Sequence, residues 1–345
     1  MKKHVIDAIK KQTAQGNLDN ISRTVLYEQF YNEHPEIKWA LLAGLVSRNA
    51  GWNMTDLWSK WFHVLITSEK RDLLFSTYER ANWTIFADAF PQLLWYERAK
   101  KKGKPDYSLL AALGTSRFMQ NEWRRFCEKG DEERLCTALI INEQFVIEGT
   151  VLRKRPYQNR VFETLLYVAE EHAHFSYVLF PTKSGKLYGL YTRDFRDVQK
   201  RIVFGKQLAK LLFHPLIHAG IIRFLQDTPP TGSRYDYGQY MKWSFSNTSP
   251  PLRGTVPLVA HHWSNRKDWY LRSEEDIEAL FAEEKEIEPV ERTNWLQMKM
   301  SELYLLMKLK QLLRLGERSQ GEEKHGRRSV LRKSPTEETR FGRGH

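Results

Sequence analysis

Between His34 and Leu65 the chain reads HPEIKWALLAGLVSRNAGWNMTDLWSKWFHVL. Two apolar runs are set around a polar, glycine-containing stretch. Pro35 suits a first helical position, and the run from Ile37 to Val46 predicts a helix that ends near Asn49 and Gly51, residues that tolerate a helix terminus. Beyond the polar stretch, Leu57, Trp58, Trp61, Phe62 and Leu65 recur at helical spacing and predict a second helix. The same period continues in Ile85, Phe86, Ala89, Phe90, Leu93 and Leu94, with Pro91 expected either to kink one helix from Arg80 to Lys101 or to divide it in two. The fold class that follows is mainly α, a multi-helix bundle.

Outward from this core, RAKKKGKPD (Arg98 to Asp106) reads as a linker, because clustered cations repel and Gly103 and Pro105 oppose regular structure. Further helices are expected over Tyr107 to Glu128, Glu132 to Leu152 and Pro156 to Glu171. In SYVLFPTKSGKLYGLYTRDF, two apolar runs flank Lys183, Ser184 and Gly185, the pattern of one small β-hairpin. Asp194 is expected to cap a helix that ends before Pro215, and another should reach Gln226. Asp227 to Asn265 is rich in Pro, Gly and Ser and predicts a long ordered loop region. Ser273 and Asp276 suggest a cap for a short acidic helix, and Trp295 to Leu313 a last helix with apolar residues on most sides. Residues 317–345 have few apolar residues and mixed charge, so residues 1–316 are expected as a compact helical domain, with a possible sub-division near 98–106, followed by a disordered basic tail.

Composition limits the function classes. The chain of 345 residues is 41% hydrophobic and 13% aromatic, as a folded protein must be. It has no apolar run of membrane-spanning length and no signal-like N-terminus, and only Cys127 and Cys136 are present, read as two small buried side chains in a reducing, cytoplasmic setting. A net charge of +12 favours an anionic partner, for which Arg98, Lys100, Lys101, Lys102 and Lys104 and the C-terminal arginines are the candidates.

The blocks HPEIKWALLAGLVSRNAGWNMTDLW, ERANWTIFADAFPQLLWYE, HAHFSYVLFPT and TGSRYDY resemble a YppC-like family of low-GC Gram-positive bacteria, a domain of unknown function. The resemblance covers Val25 to Arg314 and implies a bacterial host without an outer membrane. It implies no activity, cofactor or catalytic residue.

Candidate sites therefore rest on the residues themselves. EEHAHF offers Glu171, His172 and His174. Glu171 and His174 share a helical face like half of a di-iron site, which needs a second such motif and two more carboxylates, and His214 and His218 are possible further ligands. SRNAGWNMTD places Arg48 and Asn49 at a turn able either to cap helices or to meet an anion. ERANWTIFAD sets Arg80 two turns from Asp88, a carboxylate among apolar residues that requires a partner or a pocket. GSRYDYGQY puts Arg234, Tyr235 and Asp236 in a Gly-flanked loop suited to phosphate or a base. With no P-loop, dinucleotide fingerprint, nucleophile elbow or CxxC pair, the reading is a non-catalytic binding or scaffold protein, with a metal-dependent enzyme or a nucleic-acid binder as alternatives.

Overall fold

A computed structural model describes the chain except Met1 and residues 153–176, 192–196, 243–248, 264–265, 267, 271–273 and 331–345. Its helices are α1 (Lys2–Gly16), α2 (Asn20–Glu33), α3 (Lys38–Asp56), α4 (Lys60–Leu65), α5 (Ser68–Lys102), α6 (Ser108–Ala112), α7 (Arg117–Lys129) and α8 (Glu132–Ile147), which passes into a π turn. After the strands β1 (Tyr177–Pro181) and β2 (Leu187–Tyr191) come α9 (Val198–Leu212), α10 (His218–Asp227), α11 (Tyr235–Gly238), α12 (Glu274–Glu278) and α13 (Thr293–Val330). The expected helical bundle with one hairpin is what forms, and β1 and β2 pair antiparallel with Leu179 opposite Gly189.

Side-chain caps start many helices: Asp19, Ser59, Thr67, Ser116, Asp131 and Asp197 accept from backbone N–H groups two or three residues further on. Asp197, not Asp194, caps α9; Asp194 lies outside the described residues, as does the helix expected from Pro156 to Glu171. The segment from Tyr107 to Glu128 forms two helices rather than one, with Gly114 at positive φ between them.

One further expectation is corrected. Arg98 to Lys102 is no linker but the end of α5, closed by Gly103 in the left-handed conformation. Cations in a last turn complement the partial negative charge of a helix C-terminus, so a basic run that repels in a free chain is stabilising there. One apolar cluster takes Leu93 and Trp95 from one side of this turn and Leu109, Leu110 and Phe118 from the other. Of the two alternatives at Pro91, the single helix forms: the proline is buried within α5, and the helix gives up the one bond its missing N–H would have made to Ala87. α13 runs through Gly316 to Val330, and the rest of the expected tail, residues 331–345, lies outside the described residues. Glu, Arg, Gln and Lys propagate an established helix well, so the change of composition at Gly316 falls within one helix.

The largest correction concerns α3, which does not stop at Asn49 and Gly51 but runs to Asp56. α2 and α3 lie in opposite directions, since the Asn20 amide donates to the Ser47 carbonyl at 2.8 Å while Glu28 meets Gly44. A Cβ on Gly51 would stand 2.4 Å from Asn20 Oδ1, so the glycine serves close approach of the helices rather than termination. Asn49, expected at a turn, bonds β1 with both ends of its amide: Nδ2 donates to Leu179 O and Oδ1 accepts from Leu179 N, each at 2.8 Å. That side chain takes the place of a third strand at the centre of β1 and fastens the hairpin to the bundle.

Candidate functional site

The second half of α3 carries Arg48, Asn49, Asn53, Thr55 and Asp56, all buried. Polar groups at such depth require partners, and the loop from Thr228 to Ser249 supplies them. Arg48 donates to Thr228 O at 2.5 Å and has Asp236 and Glu28 carboxylates each 3.5 Å away. Asp236 also accepts from Trp52 Nε1 at 3.1 Å and from the Thr231 hydroxyl at 2.5 Å. Arg234 reaches Asp56 at 2.5 Å through Nε, Asn53 at 2.8 Å through Nη2 and the Tyr237 hydroxyl at 2.8 Å through Nη1. Ser249 donates to the other Asp56 oxygen. Burial opposes the charge on Arg234, but Asp56 and Tyr237 outweigh it and hold the guanidinium above its ordinary range.

The segments SRNAGWNMTD and TGSRYDY thus meet, but each completes the other. Arg48, Asn49, Arg234 and Asp236 are committed to internal bonds and face no solute, whereas Tyr235 is exposed. Arg80 and Asp88 are not paired: Arg80 donates to His262 O and stacks on Trp83. Asp88 accepts from Arg266, from Gln92 at 2.9 Å and from Asn142 at 2.6 Å, the structural pairing that a buried carboxylate requires.

Beside this polar layer lies a cleft of about 350 Å³. Leu18, Asp19 and Ser22 come from the start of α2, Phe75 and Glu79 from α5, and the opposite wall is the loop from Leu252 to Val259. Glu79 accepts from Arg23 at 2.5 Å, and Arg23 also donates to Asn17 at 3.1 Å. Burial raises the Glu79 pKa despite the pull of Arg23, while burial and the nearby Arg80 and Arg23 depress His261, 3.8 Å from Glu79, to about 4. The imidazole is therefore neutral near pH 7, and among the described residues neither its Nε2 nor the Nε of Arg23 has a hydrogen-bond partner. At the rim Arg253 grips Asp19 at 2.8 Å, with more than half of its side chain exposed. Burial raises Asp19, but the bond from Arg253 and the Ser22 N–H bring its pKa below the ordinary carboxylate value. Arg23 stands one turn before Tyr27 on the buried face of α2, a position the apolar period alone assigns to the core. Nothing in the sequence links it to Glu79 or Arg253 to Asp19.

Of the basic run, Lys100 pairs with Glu36 at 2.6 Å and Lys101 with Glu97. Arg98, Lys102 and Lys104 instead surround a hollow of about 60 Å³ together with Lys2, Trp95 and Asp106.

Among the candidate metal ligands, Glu171, His172 and His174 lie outside the described residues. His214 and His218 are used locally: Nδ1 of His214 accepts from Leu216 N at 3.3 Å, and Nδ1 of His218 lies 3.0 Å from Leu212 O. Glu33, His34 and Glu97 place ligand atoms within 4.8 Å of one another, a grouping not expected from the sequence, although Glu97 is already paired with Lys101. Cys136 is buried as expected, while Cys127 is exposed.

The profile of a family described as Protein of unknown function (DUF2515) matches residues 15–297. The chain is 41% identical over 312 residues to the Uncharacterized protein YppC of Bacillus subtilis (strain 168), a match that covers 90% of this chain and 96% of that protein. No solved structure matches.

Proposed function

We propose that this chain, which belongs to the DUF2515 family of proteins of unknown function, is a binding protein whose ligand occupies the cleft between the start of α2 and the loop from Leu252 to Val259. The observation that carries this reading is the combination of a cleft of about 350 Å³ with apolar walls and a buried Arg23–Glu79 pair at its polar end. Clefts of roughly 300–1,000 Å³ with apolar walls and a few polar groups are the usual form of a small-molecule site. The polar layer beside it is fixed by bonds between α3 and the Thr228–Ser249 loop, so the walls are held before a ligand arrives. Arg253 is the movable member. A ligand with an apolar body and an acidic end fits, the acid taking Arg253 from Asp19.

A ligand-detected NMR screen of short-chain carboxylic acids and amines tests this. Acids are expected among the hits and should be lost in Val256→Trp, which fills the cleft, with the melting temperature of the variant within a few degrees of the parent. Hits that persist in Val256→Trp would remove the cleft from consideration.

Lys2, Arg98, Lys102 and Lys104 support a second reading, because they surround one hollow and, among the described residues, form no ion pair with a carboxylate except Lys2 with Asp106 at 3.5 Å. A polyanion bound there should show affinity for duplex DNA that falls with salt by about 0.9 log unit per phosphate contact. The variant Arg98→Ala/Lys102→Ala/Lys104→Ala should flatten that slope by roughly two to three contacts. An unchanged slope would rule out this surface.

A further inference from the structure

α13 has two apolar faces. Leu296, Met300, Leu303 and Met307 are buried, and Trp61 of α4 meets Tyr304 at 6.0 Å while Lys310 donates to Leu65 O at 2.8 Å. On the opposite side, at 3.6 residues per turn, stand Met298, Leu305, Leu309 and Leu312, between 51% and 66% exposed. Scattered exposed leucines need no explanation, but a continuous stripe along one helix does.

We propose that this outward face of α13 lies on the surface of an anionic lipid bilayer. Charge selects the occupant. Residues 297–345 hold twelve Lys and Arg against six Glu, a surplus of six that is half of the chain's net +12. At helical spacing Lys308 flanks the stripe on one side and Lys299, which pairs with Glu302 at 2.7 Å, on the other. An apolar stripe edged with lysine is the pattern of a helix that buries its apolar side at the headgroup boundary while cations meet anionic lipid. From Met298 to Leu313 the stripe is about 24 Å long, enough to lie along an interface. Pairing with a second copy is less well served. Apolar residues at this spacing stop at Leu315, short of the three to four heptads of a stable coiled coil, and Glu302 would occupy a seam position. No helix of the described residues is long and apolar enough to cross a membrane, so the contact is with the surface.

The test is flotation of the full chain with vesicles of phosphatidylcholine containing about 30% phosphatidylglycerol, against pure phosphatidylcholine, at about 0.15 M salt. Binding is expected to the anionic vesicles only. Leu305→Glu/Leu309→Glu should weaken it by about tenfold or more, because two apolar side chains no longer insert. Circular dichroism melting confirms that the double variant folds; if it does not, Leu312→Glu alone takes its place. No flotation with anionic vesicles, or equal flotation of parent and stripe variant, overturns the proposal. So does sedimentation showing a parent dimer that the stripe variant splits, since a second copy then covers the face.

Discussion

Replacing Arg234 with methionine is expected to destabilise the fold by about 3–5 kcal/mol, the range for breaking a buried ion pair by removing one partner. Arg234 joins Asp56, Asn53 and Tyr237. Without it the Asp56 carboxylate keeps the Ser249 hydroxyl but loses the guanidinium that bonds it at 2.5 Å. Arg48→Met should cost less, roughly 1–3 kcal/mol, because Asp236 retains donors from Trp52 and Thr231. Chemical denaturation of both variants measures the order. An Arg234→Met variant no less stable than Arg48→Met would show that the Asp56 pairing is not what holds the loop to α3. Arg234→Met/Asp56→Asn should recover part of the loss, since the stranded charge is then gone.

Glu143→Gln should be stabilising, and only at higher pH. Glu143 accepts from Trp39 Nε1 at 3.0 Å and from Gln144 at 2.8 Å, no cation pairs with it among the described residues, and burial pushes its pKa up to about 7. Its ordinary value is 4.5. Between these values the folded chain holds a proton that the unfolded chain has released, so this residue's contribution to stability is full below the lower value and is lost as pH rises through the upper one. Glutamine keeps an oxygen for Trp39 and cannot ionise. The gap between variant and parent should be near zero at pH 4.5 and reach on the order of 1–3 kcal/mol at pH 8. Glu28, also raised to about 7 by burial, and His261, depressed and so of opposite sign, are present in both proteins and cancel in the difference. Urea titrations at the two pH values decide; a gap that does not change with pH would show that Glu143 is not the titrating group.

Helical periodicity and turn chemistry were enough to read the bundle and the hairpin, because both are local. The misreadings are non-local. Arg98 to Lys102 has the composition of a linker, and it is helix because α5 arrives there already formed and its C-terminus welcomes cations. The polar residues from Ser47 to Asp56 look like a terminus until their partners, about 180 residues later, are placed beside them. Both segments were legible as special, and Arg234 and Asp236 were singled out. What no single-chain pattern contains is that the two are one unit, which turns candidate ligand groups into internal partners. The cleft was illegible for the same reason: Arg23, Glu79 and Arg253 are ordinary charged residues until the fold brings them together.

The joining of α3 to the Thr228–Ser249 loop also sets an order of events during synthesis. Asp56 bonds Arg234 and Ser249, residues 178 and 193 positions further on. A nascent chain that has made all of α1 to α8 still lacks both of these partners, and closing so long a loop is slow compared with forming the helices. The first half of the molecule therefore waits, with the polar groups of α3 still lacking the partners that the loop supplies, until the loop emerges. Residues 1–230 expressed alone carry a folding debt that no local change can settle, so dividing this chain for separate study means cutting outside that span.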